Sequence, residues 1–170
     1  MIHSLQEWND VGFGIEVLSI AENSCNELHF TIMNVINYPN LRSFVVGDSS
    51  CKFVRSLCFS NLPQLERIDI GNNCFVVDKG VKCFGINEES FMSETKDLVN
   101  GSFVAESCRN LREIHCGSMS FAMYESCSLG GKVITVVMIG SSSFKNHSVW
   151  LSHSGLERLL KELPVCRFLY

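Results

Sequence analysis

Hydrophobic and polar positions recur in a fixed order along the chain, and six segments can be aligned by that order. Each has apolar residues at its first, fourth and sixth positions, usually glycine at the seventh, serine or cysteine at the tenth, and phenylalanine or cysteine at the eleventh. The segments begin at Ile15, Leu41, Leu65, Val81, Leu111 and Ile134. Self-similarity at a period of about 20 to 50 residues is typical of repeat proteins. The pattern therefore predicts one repeat domain over residues 1–170.

Each repeat unit predicts a strand followed by a turn. The apolar fourth and sixth positions alternate with variable third and fifth positions, which is the pattern of a strand with one buried face. Glycine follows the strand in most units, where the backbone turns and a Cβ would clash. Side chains at the eleventh position are expected to stack inside the protein as a ladder: Cys25, Cys51, Phe75, Phe91, Phe121 and Phe144.

The connecting segments differ from one another. Leu28–Val35 and Lys52–Phe59 are rich in β-forming residues, so short strands or irregular structure are expected there. The polar stretch Met92–Gly101 is predicted to be a loop insertion. Residues 154–170 form a candidate end cap, in which Leu156 begins either a seventh strand or, as the preceding Ser-Gly-Leu-Glu favours, a short helix. No convincing cap precedes the first unit.

The motif Leu-x-x-Ile-x-Ile-Gly-x-x-Ser-Phe resembles the leucine-rich repeat, with phenylalanine in the last apolar position. Its Ile-Gly-x-x-Ser-Phe part is similar to the BspA-like class, and residues 61–71, NLPQLERIDIG, resemble protist leucine-rich repeats. The resemblance covers residues from about Ile15 to Leu159, although Ala21 and Asn87 replace the glycine. It implies a right-handed, β-rich leucine-rich-repeat-like solenoid. Parallel strands would form its concave face, with short strands or irregular structure on the convex face.

Charge and cysteine content narrow the expected partners and location. The net charge is −4 and no block of Lys or Arg occurs, so neither nucleic acid nor a membrane surface is expected as a partner. The nine cysteines form no C-x-x-C pair or zinc-ligand spacing, which favours reduced, buried thiols. With no signal-peptide pattern at the start and no apolar run long enough to span a bilayer, a cytoplasmic protein is expected.

Catalytic and cofactor motifs do not emerge from the sequence. The five histidines are dispersed, and none has a carboxylate or cysteine at a diagnostic spacing. His115 and Cys116 are neighbours on a predicted strand, so their side chains point to opposite faces. Serine runs lack the Gly-x-Ser-x-Gly motif, and the glycines form no phosphate-binding pattern. The sequence therefore predicts no enzyme, cofactor or metal.

The candidate site lies on the variable strand positions. Third and fifth positions of successive strands should line one sheet face, with Cys83 and Gly85 of the Val81 unit included. The candidate partner-binding residues are a mixed-charge centre and an apolar end: Arg67, Asp69, Glu113, His115, Val136 and Met138. The predicted function is binding of a protein or peptide on this concave face. The alternative is a structural spacer or a fragment of a larger repeat array without a ligand, whose uncapped edge would self-associate.

Overall fold

The computed structural model describes residues 1–76, 101–121, 124–129, 136–140, 143 and 148–151. In these ranges the protein consists mainly of β-strands, with one short helix, α1 (Leu5–Asn9). None of the described helical structure is long and apolar enough to cross a membrane. The loop predicted at Met92–Gly101 lies outside the described residues except for Gly101, which begins a strand instead. The segment 154–170 with Leu156 also lies outside the described residues.

Successive strands alternate between two parallel sheets. The first sheet contains, in order, β1 (Val17–Ile20), β3 (Ser43–Val46), β5 (Arg67–Ile70), β7 (Glu113–Cys116) and β9 (Val136–Ile139). The second sheet contains, in order, β2 (Ile32–Ile36), β4 (Ser56–Ser60), β6 (Gly101–Glu106), β8 (Tyr124–Leu129) and β10 (Ser148–Leu151). The prediction of a β-rich fold with parallel strands is confirmed, and the segments between the predicted strands form the second sheet.

The first sheet pairs equivalent positions of the repeat units. Val17 is the register partner of Ser43, and Ser43 is the partner of Arg67. All are third positions of their units, so five of the six predicted strands begin where the pattern places them. Parallel strands in this register keep every fourth and sixth position on the same buried face.

The predicted rows set Cys83 and Gly85 of the Val81 unit between the Leu65 and Leu111 units, whereas the strands of those two units are direct neighbours. Arg67 of β5 is the direct register partner of Glu113 of β7, so no strand lies between them. The second sheet shows the same order of units, because β4 pairs directly with β6. Residues 77–100 themselves lie outside the described residues. The motif at Val81 matches locally, but the sheet hydrogen bonds join units that are not consecutive in sequence.

A row of charges at the second position of the units fits this arrangement. Glu16, Arg42, Glu66 and Arg112 alternate in sign across the first sheet. Arg42 Nη1 lies 3.8 Å from Glu66 Oε1, and the Arg112 N–H donates to the Glu66 carbonyl at 2.9 Å.

The core fills the space between the two sheets. The residues of β3 and β5 that occupy the fourth and sixth positions of their repeat units are buried, as are the inward-facing residues of β4. Phe44 of the first sheet meets Phe59 of the second edge to face, with ring centroids 5.0 Å apart. Phe59 in turn meets Phe103 of β6 at 5.9 Å. The aromatic contacts join the sheets to each other as well as neighbouring strands, so burial of these rings stabilises the whole stack.

The interior ladder predicted at the eleventh position is confirmed for the described members. Cys25, Cys51, Phe75 and Phe121 are all buried. The Phe75 and Phe121 rings stack with centroids 4.8 Å apart and an interplanar angle of 2°. All four residues have positive φ, between 54° and 56°. Phe91 and Phe144 lie outside the described residues.

The turn after the first-sheet strands is held by glycine and by a row of hydroxyl groups. A Cβ on Gly117 would lie 2.5 Å from the carbonyl carbon of Gly71, so the backbones approach too closely for any other residue. Ser120 Oγ donates to the Gly71 carbonyl at 2.6 Å and accepts from the Cys74 N–H at 3.1 Å. Ser143 Oγ makes the equivalent two bonds one unit further along: it donates to the Gly117 carbonyl and accepts from the Ser120 N–H. The tenth-position side chains therefore cross-link consecutive turns.

Residues before the first unit cover the end of the core beside β1. Ile2 forms a parallel bridge with Ile20, donating to the Ser19 carbonyl at 2.8 Å. The α1 helix follows Ser4, whose side chain accepts from the Glu7 N–H, and Trp8 packs against Phe30 with centroids 6.1 Å apart. The expectation of no convincing cap before Ile15 is therefore wrong. This segment lacks the repeat pattern, and its role depends on contacts with β1 and with Phe30.

Candidate functional site

The residues of β1, β3, β5 and β7 at the third and fifth positions of their units face outward and form a surface that we call the exposed strip. Neighbouring strands in a sheet lie about 4.8 Å apart, so equivalent side chains form rows across it. The third-position row is Val17, Ser43, Arg67 and Glu113, and the fifth-position row is Ser19, Val45, Asp69 and His115. The backbone register of β9 continues these rows with Val136 and Met138. In the described side chains of these rows, the charged groups occur only on β5 and β7.

Arg67 holds the centre of the exposed strip. Its Nε donates to the Asp69 carboxylate, and its Nη1 lies 3.5 Å from Glu113 Oε2. The hydrogen bond that Arg67 donates to Asp69 and the charges of Asp69 and Glu113 raise the pKa of the Arg67 guanidinium further above its usual value. The side chain is nevertheless 48% exposed. Arg67 is therefore permanently charged, oriented by two carboxylates and open to solvent.

His115 lies between opposite charges. Its Nδ1 is 3.3 Å from Asp69 Oδ1 and 3.5 Å from Arg67 Nη2. One nitrogen cannot serve both neighbours: a protonated Nδ1 donates to Asp69, whereas an unprotonated Nδ1 accepts from Arg67. The ring can therefore change its partner with its tautomer or charge, and the hydrogen-bonding groups that the cluster offers to solvent change with it.

The four residues bring together one fixed positive charge, two carboxylates and one histidine. With neutral His115 the cluster carries one net negative charge, and with protonated His115 it carries none. Exposed ion pairs of this kind contribute only about 0–1 kcal/mol to folding. Rearranging the network therefore costs little free energy, and its charges remain available to a binding partner.

The surroundings of His115 do not provide a nucleophile. Cys116, its neighbour in sequence, faces the core, and burial raises the pKa of its thiol to about 12. That thiol stays protonated near neutral pH and points away from the histidine ring. No group of three or more histidine, cysteine or acidic residues suited to a metal ion occurs within the described ranges.

The sequence anticipated the centre of the exposed strip and missed one end. Arg67, Asp69, Glu113 and His115 lie together as expected. The backbone register places Val136 beside Glu113 and Met138 beside His115, while their side chains lie outside the description. At the opposite end, Val17 is 60% exposed on β1 and was not among the candidates. The sequence signal that identifies Val17 as outward-facing is its place at the third position of the first unit.

The comparisons with known proteins leave the function open. No family model, curated protein or solved structure matches this chain. The functional inference therefore depends on the geometry of its own surfaces.

Proposed function

We propose that this protein is a right-handed leucine-rich-repeat-like solenoid that binds a protein or peptide on the exposed strip. Two features support the fold assignment: the repeating Ile-Gly-x-x-Ser-Phe pattern, and successive strands that alternate between two parallel sheets in unit register. Solenoids present extended surfaces that are commonly used for binding. In this protein the exposed strip is the concave face.

The observation that carries the proposal is the charge cluster on adjacent outward positions of β5 and β7. Arg67 is oriented by Asp69 and Glu113 while half of it remains open to solvent. Arginine is enriched in protein interfaces, where its planar donors fit carboxylates and carbonyls. Val17 adds an exposed apolar residue on the edge strand. A peptide lying across the strands would meet polar recognition at the centre and apolar contact beside it.

Peptide selection tests the proposal. Peptides are selected on the wild type from a displayed random library, and their dissociation constants are measured by fluorescence anisotropy. The variant Arg67→Ala/Glu113→Ala removes both ends of one ion pair, and we expect it to bind selected peptides at least about tenfold more weakly. Glu106→Ala, an exposed change on the second sheet, is the matched control and should bind like the wild type.

The opposite result assigns the strip a different role. If no peptide is enriched, or if enriched peptides bind the double variant as well as the wild type, the strip is only a solvated sheet face. The structural spacer or array fragment then becomes the better interpretation. Circular dichroism of all variants ensures that a loss of binding is not a loss of folding.

We also propose a reducing, cytoplasmic location. All seven cysteines that the structure describes are free thiols. Six of them are buried, where they pack as small apolar side chains. Persisting free thiols of this kind are typical of compartments that keep cysteines reduced. Fluorescence microscopy of the tagged chain tests the location directly.

A further inference from the structure

Within the part of the chain that the structure describes, the strand β2 forms an open edge of the second sheet. In the sheet order it has only β4 as a neighbour. Within the described residues, no backbone hydrogen bond joins Ile32–Ile36 to any segment other than β4. The corresponding edge of the first sheet is different, because Ile2 pairs with β1 at Ile20. An edge strand leaves a row of N–H and C=O groups directed away from the sheet, and another strand can pair with them.

This edge carries none of the usual protection against pairing. Proteins commonly blunt an exposed edge with charged side chains, proline or a bulge. Residues 32–36, IMNVI, include no charge and no proline, and their register with β4 is continuous. Ile32 is 48% exposed on the outward face. The edge is therefore apolar, regular and accessible.

The side-chain pattern of β2 is symmetric about Asn34. Ile32 and Ile36 lie two residues to either side on the outward face, and Met33 and Val35 are buried on the inward face. An antiparallel pairing with the same strand of a second copy, centred on Asn34, sets Ile32 opposite Ile36 and Asn34 opposite Asn34. Two amides can hydrogen-bond to each other because each has a donor and an acceptor. The strand is therefore complementary to itself.

Exposed apolar residues lie near both ends of β2. Leu28 precedes the strand and is 49% exposed. Phe13 is 65% exposed, and its ring lies against Tyr38, just after the strand, at a centroid distance of 5.5 Å. Antiparallel pairing brings the start of one strand to the end of the other. The Leu28 side of one copy would thereby approach the Phe13 side of its partner, twice in a two-fold dimer.

We infer that the edge of β2 is an interface for a second copy of this chain, paired antiparallel about a two-fold axis at Asn34. The two second sheets then form one sheet continuous across the dimer. Such an interface uses the same patch on both copies and closes after two subunits, which fits a self-complementary strand. It is independent of the exposed strip, which lies on the other sheet. A pairing limited to one strand and two apolar contacts is small, so a reversible, weak dimer is expected.

Sedimentation velocity of the full chain over a range of concentrations is the first test. The wild type should shift reversibly from monomer to dimer as concentration rises. Asn34→Lys sets two positive charges opposite each other at the axis and should weaken the dimer by at least about tenfold. Ser102→Lys is the matched control: it adds the same charge on the outward face of β6, two strands away from β2, and should leave dimerisation unchanged. Thermal melting of each variant at low concentration confirms folding.

A charge-swap mixture tests the register. Asn34→Asp should also weaken self-association, whereas mixing it with Asn34→Lys should restore a heterodimer, because opposite charges then meet at the axis. Hydrogen exchange should show concentration-dependent protection of amides in residues 32–36 in the wild type and not in Asn34→Lys. Arg67→Ala/Glu113→Ala should still dimerise, which separates this inference from the proposed peptide binding.

Three results would overturn the inference: a wild type that stays monomeric at high concentration, a dimer insensitive to Asn34→Lys, or a mixture of the two charged variants that forms no heterodimer.

Discussion

The buried turn and the exposed strip are built from the same repeat units and differ in how they use them. In the turn, the tenth position is serine or cysteine and makes equivalent hydrogen bonds wherever those bonds are described. In the exposed strip, the third position changes from valine to serine, arginine and glutamate along the sheet. Uniform side chains satisfy a requirement that every unit shares, which is to stack on its neighbour. The variable outward positions are free of that requirement, so their side chains can differ in ways that determine which partner binds.

The two regions also differ in what their polar groups contribute to stability. Ser120 is buried, and its hydroxyl bonds to the Gly71 carbonyl and the Cys74 N–H. Without that hydroxyl, both backbone groups would be buried with neither a hydrogen-bond partner nor water. Arg67 and Glu113 are about half exposed, and water replaces either partner. Substitutions in the turn should therefore change folding, and substitutions in the strip should change binding.

The largest effect is expected from Phe121→Ala in the interior ladder. The Phe121 ring stacks on Phe75 at 4.8 Å and lies 4.9 Å from Tyr124, and its loss leaves a cavity among aromatic rings. The free energy of unfolding, measured with urea, should fall by about 3–5 kcal/mol. Met119→Ala, an exposed change two residues earlier, should cost less than about 0.5 kcal/mol. Similar effects for the two variants would contradict the ladder as a stabilising element.

A smaller, pH-dependent effect is expected at Cys74, where a thiol takes the place that serine holds in the neighbouring units. Its Sγ lies 3.1 Å from the Gly47 carbonyl, and burial raises the pKa of the thiol from 9.0 to about 11. The folded state thus holds a proton that the unfolded chain loses above pH 9. This contribution is complete below pH 9 and is lost as pH rises towards 11, by about 1 kcal/mol per pH unit.

Cys74→Ser should therefore lie within about 1 kcal/mol of the wild type at pH 7, because a hydroxyl can make the same hydrogen bonds. The wild type should lose stability relative to this variant between pH 9 and 11, as measured by urea unfolding at each pH. Cys74→Ala removes the same titration but leaves the Gly47 carbonyl without its donor, so it should be less stable than Cys74→Ser at pH 7. Parallel pH curves for wild type and Cys74→Ser would contradict the raised pKa.

The smallest effect on folding is expected from Arg67→Ala in the exposed strip. Its ion pairs with Asp69 and Glu113 are open to water, so the midpoint of urea unfolding should stay close to that of the wild type. Thermal and urea unfolding at low and high salt check this expectation. A loss of stability as large as that of Phe121→Ala would show that the cluster is a structural network, and the distinction between turn and strip would fail.

Much of the first sheet could be predicted from the sequence because its signals are local. Alternating burial and the glycine after each strand depend on residues that are close in the chain, and they located the strands that begin at Val17, Ser43, Arg67, Glu113 and Val136. Once these strands lie in parallel register, Arg67, Asp69, Glu113 and His115 must meet on one face. Their individual contacts depend on side-chain rotamers, which the pattern does not specify.

Pairing between distant segments could not be predicted in the same way. The Val81 unit matches the motif, yet β5 pairs with β7, because a motif specifies a strand and not its neighbour. The bridge between Ile2 and Ile20 uses backbone groups that every residue has, so no side-chain pattern announces it.

By itself, the sequence determined a β-rich protein whose units repeat a buried strand face and a tight turn, and it located the charged centre of the exposed strip. Tertiary structure alone decided which units are neighbours, which edge is covered and which is open. The physical reason is the range of the interactions. Periodic burial is set within a few residues, whereas hydrogen bonds between strands and contacts such as Trp8 with Phe30 form only when distant parts of the chain meet.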